Sequence, residues 1–90
     1  MNKEEGKKII IALKKAQSHL GKIIRMMEED KYCIDILQQN LAVIGLLKSA
    51  NSKLLKRHLK TCFKKVMQGT NEKQKQKMIE EILKINKSIL

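Results

Sequence analysis

With 90 residues the chain has room for one domain, 1–90, and a chain of that length buries a smaller share of its surface than a larger one, so a second subunit is expected to complete its core. Pro and Trp are absent, the only aromatics are Tyr32 and Phe63, and Leu, Ile, Lys, Glu and Gln dominate, which predicts an all-α fold. Twenty Lys and Arg against nine Asp and Glu leave a formal charge of +11, which favours a polyanionic partner, nucleic acid first and an anionic membrane surface second.

The first predicted helix runs from Glu4 to Glu28, residues 4–28. Ile9, Ile10, Leu13, Ala16, Leu20, Ile23, Ile24 and Met27 recur at spacings of three and four, as one face of a helix requires. Its polar face carries Lys7, Lys8, Lys14, Lys15, Lys22 and Arg25. Glu28-Glu29-Asp30 then breaks the pattern, and Asp30 is the expected N-cap of a second helix in a tight hairpin.

That second helix is predicted over 31–68, with Ile34, Leu37, Leu41, Ile44, Leu47, Leu54, Leu55, Leu59, Phe63 and Val66 turned inward. At ~1.5 Å per residue it is on the order of 55 Å long, more than one short partner can cover. Dimerisation through its open flank, giving an antiparallel bundle of helices from two chains, is the expected solution. Gly69 is expected to close this helix in the left-handed conformation, with Thr70 or Asn71 capping the next one. The third helix is predicted over 72–88, with Met78, Ile82, Leu83 and Ile85 as its apolar face.

No apolar run approaches the roughly 20 residues that span a bilayer, so no membrane segment is expected. The N-terminus lacks a secretory pattern, since Glu4 and Glu5 precede Lys7 and Lys8 and the apolar stretch Ile9 to Leu13 is short. A cytoplasmic location is therefore expected, where two cysteines are free thiols or metal ligands more often than a disulfide. Charge is unevenly placed: from Ile36 to Asn71 there is no acidic residue, while Lys48, Lys53, Lys56, Arg57, Lys60, Lys64 and Lys65 fall in that stretch. A solvated helix face and a nucleic-acid-binding face are the two readings of that run.

His58 and Cys62 are four residues apart, one turn along the same helix face, and their soft or borderline donors suit copper(I) or zinc. Cys33 lies roughly 37 Å away along a continuous helix and cannot join them within its own chain. In an antiparallel dimer, Cys33 of one subunit can meet His58 and Cys62 of the other. Standing alone, a Cys on an apolar helix face is usually a small buried hydrophobe, and a lone His is usually a solvated or satisfied side chain. No Gly-rich phosphate loop or evident carboxylate pair points to an enzyme.

The segment Ile24-Arg25-Met26-Met27-Glu28-Glu29-Asp30-Lys31-Tyr32-Cys33-Ile34-Asp35 resembles the hairpin of the CsoR/RcnR family of metal-sensing transcriptional repressors. His58-Leu59-Lys60-Thr61-Cys62 resembles the copper(I)-sensing branch, with the same residue types at the same distance from Cys33, and the likeness covers about Leu13 to Leu83. The resemblance implies a three-helix protomer with a long central helix, a four-helix-bundle dimer and a dimer-of-dimers tetramer. It implies a repressor that holds operator double-stranded DNA when metal-free and releases it when copper(I) is bound by Cys33, His58 and Cys62 shared between chains. Nickel, cobalt and formaldehyde sensors of the family place another residue where Cys62 stands, and persulfide sensors generally lack the histidine. Tyr32 and Glu81 match residues beside the family's ligands, with Glu80 as the alternative to Glu81.

Where family members commonly carry cations on the first two helices, this chain has Ala12 and Ser49. Lys8, Lys14, Lys15, Lys48 and Lys53 are the candidate phosphate contacts in their place. Two other readings accompany the copper-responsive repressor. One is a persulfide or thiol-redox sensor of the same fold, linking Cys33 and Cys62 of facing subunits. The other is a cationic helical structural or membrane-surface protein without an effector.

Overall fold

Two helices folded back on each other as a hairpin, with a third laid along the far end, make up the chain. The computed structural model describes residues 3–89, with side chains described through residue 85. The elements in order are α1 (Lys3–Glu28), α2 (Cys33–His58), a five-residue π turn (Leu59–Phe63), α3 (Lys64–Met67) and α4 (Glu72–Ile89). Among the described residues there is no strand, and no helix is long and apolar enough to cross a membrane. α2, the π turn and α3 follow one another without a break, as one long rod.

The turn between α1 and α2 differs from the sequence expectation. Asp30 takes the left-handed conformation with φ of 52°, which a short polar side chain tolerates better than most. The Asp30 amide donates to the Met27 carbonyl at 3.2 Å and the Lys31 amide to the Met26 carbonyl at 3.0 Å. That pair of bonds is a Schellman closure, so Asp30 ends α1 and does not cap α2. The N-cap of α2 is Tyr32, in extended conformation, with no side-chain cap bond.

Gly69 corrects a second expectation. No described glycine has positive φ, and the Gly69 amide donates to the Val66 carbonyl at 3.1 Å. Glycine fits there because a Cβ would stand 3.3 Å from that same carbonyl oxygen. Asn71 does cap α4, its Oδ1 accepting from the Gln74 amide at 3.1 Å.

The core is a narrow seam. Ile9, Ala16 and Ile23 of α1 are buried together with Ile36, Val43 and Ala50 of α2, each set repeating every seventh residue. A strict seven-residue repeat is the signature of coiled-coil packing, and the two alanines let the backbones approach closely. Half-buried Ala12, His19 and Met26 alternate with the α1 row, and Gln39 and Leu46 with the α2 row. His19 Nε2 donates to Gln39 Oε1 across the seam.

The inward face expected for α2 is therefore not what the hairpin uses. Ile34, Leu37, Leu41, Ile44, Leu47, Leu54 and Leu59 stay exposed in the single chain, Leu41 by 66%, as do Ile10, Leu13, Leu20, Ile24 and Met27 on α1. Each helix carries two adjoining apolar stripes, and one helix partner covers only one. With extents of 58 × 28 × 14 Å the chain is little more than one helix thick, and among the described residues most of the second stripes is left uncovered.

Candidate metal centre and nucleic-acid interface

Cys33 opens α2 at one end of the rod, whereas His58 closes α2 and Cys62 sits in the π turn at the other. The uninterrupted α2 between them separates Cys33 from His58 by roughly 37 Å. Both cysteines are free and exposed. Among the described residues, no set of three or more His, Cys, Asp or Glu side chains is gathered where one chain alone would hold a metal ion. Two donors are thus close in sequence at one end, and the third candidate faces solvent at the opposite end.

His58 is half-buried because α4 doubles back beside α2. It lines a shallow groove with Asn51, Leu54 and Leu55 from its own helix and Glu81, Ile82 and Ile85 from α4. Glu80 turns elsewhere, accepting from Gln76 Nε2 at 3.3 Å on the outer face of α4. Tyr32 is 68% exposed beside Cys33, at the end of the rod away from His58. The donor set of two thiols and one imidazole is soft to borderline, and it fits copper(I) or zinc and not a hard cation.

The π turn that holds Cys62 was not legible beforehand. π turns inside α-helices are uncommon and gather at functional sites. Within this one the Thr61 hydroxyl donates to the Arg57 carbonyl at 2.8 Å, a bond to the residue four positions back of the kind that competes with regular helix bonding.

On another side of the hairpin, three adjoining depressions form one furrow along α1 and α2. Glu5, Lys8, Lys53, Lys56 and Arg57 line its first part. Lys8, Lys15 and Lys53 flank the second, with Ala12 and Ser49 among its lining. Lys15, Ser18, His19, Lys22, Arg25 and Leu46 line the third. Shared residues, Lys8 and Lys53 and then Lys15 and Leu46, make the three continuous. Glu5 is its single acidic member, so the furrow offers fixed positive charge along most of the hairpin.

Residues 5–88 match the family of metal-sensitive transcriptional repressors. The chain belongs to that family. It is 51% identical over 51 residues to the copper-sensing transcriptional repressor CsoR of Mycobacterium ulcerans, a stretch covering 57% of this chain and 44% of that one. The copper-sensing transcriptional repressor RicR of Mycobacterium tuberculosis is 46% identical over 50 residues, covering 56% and 52%. The chain thus spans about half the length of the curated relatives it matches. The crystal structure of the copper-sensing repressor CsoR with Cu(I) from Geobacillus thermodenitrificans superposes with a TM-score of 0.82 at 30% identity, over 98% of this chain and 88% of that one. A variant of the formaldehyde-responsive regulator FrmR from Salmonella enterica serovar Typhimurium superposes with a TM-score of 0.77 at 26% identity, over 99% and 98%.

On this repressor fold, the predicted residues fall into separate groups. His58 and Glu81 share a groove; Cys62 lies one turn beyond His58; Cys33 and Tyr32 lie together at the opposite end. Of the candidate phosphate contacts, Lys8, Lys15 and Lys53 line the furrow, while Lys14 and Lys48 are exposed outside its lining. Lys22 and Arg25 join the furrow without having been named as phosphate contacts, as do Lys56 and Arg57 from the acid-free run of α2. For Lys22 the signal was present in the seven-residue repeat, since Lys8, Lys15 and Lys22 stand one position before Ile9, Ala16 and Ile23.

Proposed function

We propose that the chain is a copper(I)-responsive transcriptional repressor that binds operator DNA when metal-free and releases it when copper is bound. The observation that carries this reading is the split donor set: His58 and Cys62 a turn apart at one end of the rod, and Cys33 exposed at the other. Two chains packed antiparallel through their open apolar stripes bring Cys33 of one to His58 and Cys62 of its partner. Burying Leu41, Ile44 and Leu37 against a second copy gives that pairing its driving force, at ~25 cal/mol per Å² of apolar surface removed from water. A homo-oligomer is thus part of the reading, and the site exists only in it.

Copper(I), when bound, supplies a soft cation that ties two thiolates and an imidazole together across two chains. The protein's part is orientation. With one ring nitrogen of His58 as the ligand, the other would donate to the Glu81 carboxylate that lines the same groove, which would select a tautomer and link α4 to the site. Cys62 is presented by a π turn within which the Thr61 hydroxyl donates to the Arg57 carbonyl. The furrow supplies the DNA-facing charge: Lys8, Lys15 and Lys53 stand around the neutral Ala12 and Ser49, so phosphate contact is made from beside those positions and not at them.

The reading is tested by anaerobic copper(I) titration of the reduced protein against a competing chelator, with promoter DNA binding followed in parallel. One tightly held copper per protomer and a loss of DNA affinity on loading are expected. Tight DNA binding that copper leaves unchanged would sink it.

A further inference from the structure

Arg57 and His58 are neighbours in sequence that serve different surfaces. The Arg57 side chain lines the end of the basic furrow with Glu5, Lys8, Lys53 and Lys56. It continues the row of Ile36, Val43 and Ala50, seven residues beyond the last, and so marks where the hairpin seam opens to solvent. His58 turns into the groove with Leu54, Leu55 and Glu81. One peptide unit joins them, and its carbonyl oxygen is that of Arg57.

Thr61 holds that oxygen. Its hydroxyl donates to the Arg57 carbonyl at 2.8 Å, while the same Oγ1 stands 3.8 Å from Cys62 Sγ. The rod changes from α to π winding immediately after His58, so His58 and Cys62 sit on opposite sides of the junction. We propose that Thr61 is a positioning residue that couples the metal ligands to the DNA furrow, by gripping the Arg57–His58 peptide and holding the π turn that sets the spacing of His58 and Cys62. This rests on the copper-responsive reading and names the element through which that response travels.

The physical case has three steps. Helix winding is discrete, since a turn is closed either four or five residues on, and such elements shift between arrangements and do not deform continuously. Two ligands one turn apart that share a metal ion must adopt one fixed separation, so coordination favours one winding over the other. The Arg57–His58 peptide moves with that choice, and Arg57 is then re-aimed relative to Lys8, Lys53 and Lys56, which changes the charge presented to a phosphate. The hydroxyl of Thr61 is the side-chain group that biases the winding in the metal-free chain.

The test compares Thr61→Val, which keeps the shape and loses the hydroxyl, and Thr61→Ala, with Thr61→Ser, which keeps the hydroxyl. In the metal-free protein, carbon chemical shifts of residues 57–63 report the winding without any metal. Thr61→Val and Thr61→Ala are expected to shift those of Arg57 and the turn, and Thr61→Ser to leave them near wild type. Copper affinity by chelator competition is expected to move with the winding, because coordination favours one winding and the hydroxyl no longer biases it, while the copper-induced fall in DNA affinity shrinks about tenfold, a change on the scale of a whole allosteric coupling, with serine restoring both. Unaltered coupling in Thr61→Val and Thr61→Ala, or equal loss in the serine variant, overturns the proposal while leaving the copper-responsive reading intact. Wild-type protein whose DNA affinity ignores copper overturns both.

Discussion

His58 and Glu81 face the same groove from different helices, one closing α2 and the other in the middle of α4. Glu80, next in sequence, is bonded to Gln76 on the outside of the same helix. Replacing Glu81 by Ala is therefore expected to leave copper affinity largely intact, because no ligand is lost. Copper-driven release of DNA should weaken, towards equal affinities for the loaded and metal-free forms in the extreme. Glu80→Ala is the control and should change neither. Measuring DNA affinity with and without copper for the two variants decides between them, and an unchanged coupling in Glu81→Ala removes this residue as the relay.

Sharing of ligands between chains has its own test. Cys33→Ala and Cys62→Ala subunits should each bind copper poorly alone. In a mixed dimer one site loses both thiols and the other keeps Cys33, His58 and Cys62 whole. Mixing is expected to restore tight binding to about half of the sites in the mixed dimers, as counted by chelator competition. No recovery after subunit exchange, with exchange itself verified by mass, excludes the intersubunit centre.

The polar pair in the hairpin seam makes a stability prediction. His19 and Gln39 meet at a position where the repeat around them holds Ala16, Ile23, Ile36 and Val43. Gln39→Leu strands a half-buried imidazole and is expected to destabilise the protein by about 1–3 kcal/mol. Replacing both residues by Leu removes the unpaired group as well and should recover most of that loss. Denaturant melts of the two single variants and the double variant form the cycle, and additive losses would show that the pair is not coupled.

The all-helical fold was readable because composition and spacing act locally: Ile9 through Met27 repeat at three and four, and a helix follows without reference to anything distant. Which apolar stripe faces inward was not readable in that way. Ile34, Leu37 and Leu41 are as apolar as Ile36 and Val43, and only the pairing with Ala16 and Ile23 across the hairpin chooses between them. Capping failed for a similar reason. Asp30 has the chemistry of an N-cap but also tolerates the left-handed conformation, and two backbone bonds to Met26 and Met27 settled it in favour of closing α1. The four-residue spacing of His58 and Cys62 was visible in the sequence, whereas the π turn that holds Cys62 was not, because residue spacing carries no sign of where the Thr61 hydroxyl bonds.

The last prediction concerns how the metal-free protein holds DNA. Each phosphate neutralised releases condensed counterions, so log affinity should fall linearly with log salt, with a slope of roughly 0.9 per contact. The furrow gathers Lys8, Lys15, Lys22, Arg25, Lys53, Lys56 and Arg57 on one continuous surface, so an oligomer presenting several copies gives a steep dependence. Charge reversal at Lys15, which is shared by two parts of the furrow, is expected to weaken binding and reduce the slope by about one or more per copy engaged. Reversal at Lys14, one residue earlier and outside the lining, should do much less, as should Lys84 on α4. Long-range repulsion also follows any reversal, but it is screened over about 8 Å at physiological salt and affects neighbouring positions alike. The comparison of Lys14→Glu with Lys15→Glu therefore isolates contact from net charge. Equal losses at the two positions would place the DNA elsewhere than in the furrow.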